Sequence, residues 1–458
     1  MKSLKTICIG LCALGATAAW AQVEVNPQAS QNDSEQVVAE HPEDRMQAPP
    51  PVTGTNYDTT FNSEERGNYL RYGMAFTTAH TDNALGGLSS DRVSDFIYSL
   101  APTIAIDQTT SRMHWVASYA PGFTFYQQTS SRNEADHNAS IDFSYRFSPR
   151  LNFSARDGFQ KSSNVFNQLD LGTTGGVSGG AQAPNFSVIA PIASRLSNAA
   201  TADLTYQFEL NDMVGAAGTF SNLHYPDPMQ VPGLYDSSSQ GGSIFYSHRL
   251  SNMHYVGAMY QYQRLLSYPS PGPSETQTHA AMLFYTAYPS AHLSVSLFGG
   301  PELADNVEPL NVGGVASRSS HEWTPAAGAS LAWQGQFNSL ALSYSHVVAG
   351  GGGLIGAVHM DSSSLSFRHQ FTRSLSASIT GGYTQNKLIG SFTALASDGH
   401  SLFGTAAVQK RLGEHVNLEA GYTRLHQSYG GIPLFSNNPD TNREYVSISY
   451  QFSRPLGR

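Results

Sequence analysis

Residues 365–380 read LSFRHQFTRSLSASIT. Leu365, Phe367, His369 and Phe371 alternate with Ser366, Arg368 and Gln370. After Thr372-Arg373, Leu375, Ala377 and Ile379 alternate with Ser376, Ser378 and Thr380. Successive side chains of a strand point to opposite faces. The stretch is therefore two strands, each with one apolar and one polar face, and the short turn between them makes the pair antiparallel.

The same pattern recurs outward from this hairpin. Phe143, Tyr145 and Phe147 alternate with Asp142, Ser144 and Arg146, and Leu204, Tyr206 and Phe208 with Asp203, Thr205 and Gln207. Leu340, Leu342 and Tyr344 alternate with Ser343 and Ser345, and Val446, Ile448, Tyr450 and Phe452 with Ser447, Ser449 and Gln451. Strand centres fall near residues 72, 100, 119, 143, 153, 204, 218, 245, 258, 283, 296, 329, 343, 367, 380, 406, 421 and 448, about 18 in all. The connections alternate in length. Short turns lie at Gln108–Thr110, Ser148-Pro149, Asn211-Asp212, Ser251-Asn252, Pro289-Ser290, Gly335-Gln336, Thr372-Arg373 and Gly413-Glu414. Long loops lie near 79–93, 128–138, 158–197, 226–240, 264–275, 301–321, 349–360, 387–399 and 428–442. Even strand number, ten-residue alternating segments, short turns at one end and long loops at the other describe a transmembrane up-and-down β-barrel. A soluble sandwich or propeller gives no reason for the alternation of loop lengths. Phe147, Phe208, Tyr288, Trp333, Phe371 and Phe452 sit where strands meet the short turns, where ring side chains favour a membrane interface.

The N-terminus agrees. Lys2 and Lys5 precede an apolar run, Ile7–Ala19, and Ala19-Trp20-Ala21 forms a cleavage site, so residues 1–21 read as a secretory signal peptide. Both cysteines, Cys8 and Cys12, lie inside it, which leaves the mature chain without thiol or disulfide chemistry. Residues 22–66 are acidic, polar and proline-bearing, without helical or strand period. They read as a flexible periplasmic linker, with room for a periplasmic partner. No later stretch has the 18 or more apolar residues a membrane helix needs, so the domain from residue 67 to 458 crosses as strands. A mean hydropathy of −0.28 is compatible with this, because alternating strands average out. Lys and Arg number 25 against 34 Asp and Glu, with no basic cluster, which speaks against nucleic acid as a partner.

The C-terminal strand Tyr445–Phe452, the signal peptide and the alternating segments resemble bacterial outer-membrane β-barrel proteins of the porin-like type. The resemblance implies an integral outer-membrane location in contact with lipid. It also implies recognition of Tyr450 and Phe452 by the barrel-assembly machinery. Ser447 stands where that family often has Gly, and Ser453–Arg458 extend past the terminal aromatic. General porins carry a long third loop that narrows the pore. By resemblance, residues 158–197 are the candidate constriction, with a surface lid or a contact with a neighbouring barrel as alternatives.

If the apolar parity faces lipid, the other parity lines the interior, and it is mostly Ser, Thr, Ala, Gly, Gln and Asn. Barrels of 16 to 18 strands leave an aqueous channel. Arg71, Asp142, Arg146, Arg156, Asp203, Glu209, Arg368 and Glu419 share this parity. They are a mixed-charge wall that orients polar solutes, or plain solvation of the lumen; the first reading applies best to Arg146 and Arg156 on adjacent strands. The histidines show no metal-ligand spacing, and no cofactor is implied. Gly176–Gly180 (GVSGG) matches the G-x-S-x-G pattern, but in a Gly-rich loop without the following helix that a nucleophile elbow requires. The expected function is a channel for polar solutes, including saccharides or exported polysaccharide, and not an enzyme. The alternatives are a surface adhesin or structural barrel, or a membrane-embedded hydrolase.

Overall fold

The structure is a computed structural model that describes residues 46, 68–85, 92–164, 192–227, 234–269, 272–309, 317–351, 355–389, 398–429 and 440–456. The predicted signal peptide, most of the predicted linker, residues 165–191 and the GVSGG stretch lie outside these. The described residues form β1 (Tyr69–Thr81), β2 (Asp95–Thr109), β3 (Met113–Tyr126), β4 (Glu134–Ser148), β5 (Leu151–Asn164), β6 (Ile192–Gln207), β7 (Asp212–His224), β8 (Ser237–Ser251) and β9 (His254–Ser267). The second half comprises β10 (Ser274–Ser290), β11 (Leu293–Pro309), β12 (Ser317–Gln334), β13 (Asn338–Gly351), β14 (Ile355–Gln370), β15 (Leu375–Leu388), β16 (Gly399–Arg411), β17 (Val416–Tyr429) and β18 (Asp440–Pro455).

Each strand pairs antiparallel with its neighbours in sequence, and β18 pairs with β1, from Tyr69↔Pro455 to Thr81↔Arg443. The 18-stranded sheet is closed and has no free edge along that seam, which is how a sheet satisfies its backbone within lipid. All eighteen sequence-derived centres fall within these strands. Turn chemistry is local: Gly413, at φ 108°, occupies the left-handed region in the β16–β17 turn, where Leu412 N–H donates to the Val416 carbonyl at 2.8 Å.

The strands run further outward than the alternation suggests. Much of the predicted 301–321 loop is β11 and β12, and the predicted 349–360 loop is mostly the paired ends of β13 and β14. Residues 158–164 and 192–197 likewise belong to β5 and β6. In the 347–360 ends alternation fades because Val348, Ala349, Val358 and Met360 are buried on both faces by protein, so neither face must be lipid-apolar.

The large side chains of one parity, among them Met74, Ile104, Ile141, Leu204, Ile244 and Leu283, are exposed around the outside and form a lipid-facing band. Trp323 and Trp333 share the outer face of β12 at either end of it. Their ten-residue separation is roughly 33 Å of strand, or about 25 Å of height at a tilt near 40°. That is the height of an outer-membrane apolar band. Hydrogen-bonded rings mark its rims. Tyr119 Oη pairs with His137 Nδ1 at 2.8 Å and Tyr260 Oη with His279 Nδ1 at 2.7 Å toward the long loops. His254 Nδ1 pairs with Tyr285 Oη at 2.6 Å toward the short turns. Phe147, Phe208, Trp333 and Phe371 are exposed at that lower rim, and Phe452 lies against Tyr72 at 5.1 Å and His415 at 5.5 Å. Tyr288 departs from the expected girdle: counted from lipid-facing Leu283 it has inward parity, and it packs edge-on against buried Tyr255 at 5.8 Å. Closed sheet, apolar band, aromatic rims and an even strand number together make the chain an integral membrane β-barrel of the bacterial outer-membrane type.

Candidate functional site

The inward parity of every strand follows from the register around the closed ladder. Arg71, Asp142, Arg146, Arg156, Asp203, Arg368 and Glu419 all fall on it. Glu209 does not: it is exposed in the 208–211 turn, where its amide donates to the Asp212 carbonyl.

Two of these residues, Arg156 and Asp142, meet each other, and Arg71, Glu419 and Arg368 meet other inward or neighbouring groups. Arg71 Nη2 reaches Asp107 Oδ2 at 3.2 Å, and His114 Nε2 lies 3.2 Å from the other oxygen of the same carboxylate. Arg156 donates from Nε to Asp142 Oδ1 on the strand before it, and Asp203 lies opposite Ser154 on the strand after it. Glu419 Oε1 accepts from Tyr445 Oη at 2.7 Å. Arg368 Nη2 donates to Ser376 Oγ and Gln409 Oε1, both at 3.2 Å. Arg146 has no ion pair among the described residues. The charged arc therefore runs from β14 through β18 and β1 to β6. Arg71, Arg156, Arg368 and Glu419 are each hydrogen-bonded to a neighbouring side chain, which holds them along the wall.

The opposite arc carries an apolar patch, a feature the alternation does not reveal. Met259, Ala280, Met282, Phe284, Phe298 and Ala326 form one buried cluster on the inward faces of β9–β12, with Phe245 of β8 packed against it. The rings lie flat because small residues sit beneath them. A Cβ on Gly215 would overlap Phe245, one on Gly257 would overlap Phe284, and one on Gly328 would overlap Phe298. Phe403 over Gly382 and Tyr445 over Gly421 repeat the arrangement on the other side. Aromatic rings covering glycines on a neighbouring strand restore the packing and pin the register that glycine alone would lose.

The lumen is narrowed toward the long loops by a hairpin. β13 pairs with β12 only from Gln334↔Ser339 to Ala327↔His346. Beyond that point residues 347–351 and 355–360 stay paired to each other, and β14 stays paired to β15 as far as Val358↔Leu388, while the pairing of β13 to β12 is lost. One face, with Val347, Ala349, Val358 and Met360, packs on Ala193, Leu223, Tyr225 and Leu234 at the β6–β7 side. The other, with Val348 and Ala357, packs on Leu265 of β9, Ala304 of β11 and Ile389 just past β15. Val348 N–H donates to Glu302 Oε2, on the inward face of β11, at 3.4 Å. His359, of outward parity on β14, has Nε2 3.4 Å from Oε2 of Glu322, of inward parity on β12. A hairpin whose outer face meets the inner face of β12 lies inside the barrel. Val358, Met360, Val348 and Ala349 are each at most 3% exposed. Tyr225, just beyond β7, is neutral in this contact, since burial pushes its phenol up to about 12.

The sequence placed the constriction at 158–197. Its middle, 165–191, lies outside the described residues; among the described residues the ends of β13 and β14 narrow the lumen. At the other mouth, Met46 of the predicted linker donates from its amide to Gln207 Oε1, at the foot of β6, at 3.2 Å. Among the described residues no group of three or more His, Cys, Asp or Glu is arranged to hold a metal.

No protein-family model matches the chain, and no curated protein sequence does. Among solved structures, OpdO of Pseudomonas aeruginosa is similar at 12% identity and a TM-score of 0.42, over 84% of this chain and 97% of that one. OccK2 (OpdF) of Pseudomonas aeruginosa gives 9%, 0.42, 85% and 100%. OccAB4 of Acinetobacter baumannii gives 9%, 0.40, 86% and 100%.

Proposed function

We propose that this barrel is an outer-membrane channel for polar solutes, constricted by the 347–360 hairpin. The observation that carries the reading is the wall from β14 round to β6. There Arg71–Asp107, Arg156–Asp142, Arg368 and Glu419 face inward among Ser, Thr, Asn and Gln. Small polar residues do not fill an 18-stranded interior, and fixed charges of both signs orient dipolar solutes without trapping either ion. Saccharides suit a wall rich in hydroxyl and amide groups. An exported polysaccharide is the form in which a linker at the periplasmic mouth would hand cargo onward.

Planar-bilayer recording tests the proposal. Purified, folded protein should give discrete conductance steps, and added neutral oligosaccharide should reduce the current. Folded protein that gives no steps, with or without the hairpin, sinks the channel reading in favour of an adhesin or structural barrel.

A further inference from the structure

We propose that the wall contains a lateral slot between the external halves of β12 and β13, joining the lumen to the outer leaflet, for amphiphiles that carry an acyl chain. The slot is written in the register. β12 remains paired with β11 as far as Ser317↔Pro309, and β13 remains paired with β14 as far as Gly351↔Ile355. Between the two pairs the ladder ends at Ala327↔His346. Among the described residues, no strand pairs with residues 317–326 of β12 on that side.

Side-chain contacts bridge the division between β12 and the hairpin. Glu322 Oε2 lies 3.4 Å from His359 Nε2, and Thr324 Oγ1 lies 3.4 Å from His346 Nε2. His346 is held by Asp361 Oδ1 at 2.9 Å, and its ring stacks on His359 with centroids 6.3 Å apart. Such a bridge can part without breaking a β-ladder.

The surfaces on either side fit an amphiphile. Trp323, 70% exposed, stands on the lipid side of the β12 lip, at the level of the external interface. On the lumen side of the same strand Ala326 belongs to the apolar cluster with Met259, Met282, Phe284 and Phe298. The apolar patch thus reaches the inner end of the division at Ala326, beside Thr324 and Glu322, while the charged arc stands across the lumen from it. A chain would lie on the first and a polar head would face the second. Burial of methylene groups at roughly 0.8 kcal/mol each gives such a molecule reason to follow the apolar side. A channel for polar solutes alone has no use for that patch.

The test uses cross-linking, since the chain's two cysteines both lie in the predicted leader. Thr324→Cys and His346→Cys are introduced together and joined by a short bismaleimide. The readout is uptake of the apolar probe N-phenyl-1-naphthylamine by Gram-negative cells expressing the protein, with planar-bilayer conductance in parallel. Cells expressing the native chain should take up the probe faster than cells lacking it. Cross-linking should return uptake to the rate of cells lacking the protein and leave conductance unchanged. Glu322→Gln combined with His359→Gln, which weakens the bridge without new cysteines, should speed uptake; it keeps the proposal testable if the cysteine pair fails to fold. Uptake equal to that of cells lacking the protein overturns the slot, as does uptake unaffected by cross-linking. Parallel loss of uptake and conductance also overturns it, because the cross-link would then act on the lumen as a whole. Absence of conductance in the native protein bears on the channel reading and not on the slot.

Discussion

At the scale of single residues, the two faces of the wall set opposite tolerances. Gly257 lies under the Phe284 ring and against the Tyr246 carbonyl, so any β-carbon there must push one of them away. Gly218, with nothing within 4 Å of the Cβ position, is a matched control on β7. Gly257→Val should lower the urea midpoint of unfolding in lipid by the equivalent of about 1–3 kcal/mol, the usual cost of overpacking. Gly218→Ala should leave the midpoint where it is, and equal midpoints for the two would show that the ring is free to move. Leu283, 68% exposed on the lipid side, gives a second contrast. Leu283→Arg should cost about 2–4 kcal/mol near mid-membrane, whereas Thr405→Arg, on an inward position of β16, should cost little. These inward and outward assignments were legible in the sequence wherever polar and apolar residues strictly alternate, as in residues 365–371. The apolar patch was not. Residues 281–285 read Ala-Met-Leu-Phe-Tyr, apolar on both parities, so periodicity cannot tell which side faces lipid. The register with β9 and β11 decides it, and puts Met282 and Phe284 inside.

At the scale of elements, strand number and turn position were readable because each lipid-crossing strand must carry its own apolar face. The inward hairpin was hidden for the opposite reason. Residues 347–360, VVAGGGGLIGAVHM, show an apolar run broken by five glycines and look like an external loop. A run without alternation is also what a strand buried on both faces looks like, and this one packs on β6–β7 with one face and on β9, β11 and Ile389 with the other. His346 and Asp361 are register partners at its base. Replacing 347–360 by a two-residue Asn-Gly turn between them preserves the lower ladder, since that turn suits antiparallel strands. The shortened barrel should fold, show the usual shift between heated and unheated gel mobility, and give larger conductance steps than the native chain. Steps of native size would place the narrowest point elsewhere, with residues 158–197 the next segment to shorten.

At the scale of the whole molecule, closure and charge are the two properties no single strand possesses. Closure rests on β1 and β18, separated by almost the full chain. Phe452 packs on Tyr72 across that seam, and β18 continues to Pro455, opposite Tyr69. The extension past the aromatic is therefore ordinary ladder, so Phe452→Ser should reduce the yield of folded barrel in the outer membrane more than removal of Leu456–Arg458 does. The lumen's charge is likewise collective. Arg156 stands between Asp142 on β4 and Asp203 on β6, one positive group within a row of three inward charges. Arg156→Glu would place three carboxylates side by side. Mutual repulsion would draw in potassium, and the reversal potential across a KCl gradient should move toward cation selectivity. The shift should be large at low salt and shrink as the Debye length falls from about 10 Å at 0.1 M to about 3 Å at 1 M. A reversal potential that does not move at low salt would mean that permeating ions never come within a screening length of β4–β6, and the polar path would then have to run along β14–β18, where Arg368 and Glu419 are the groups to reverse next.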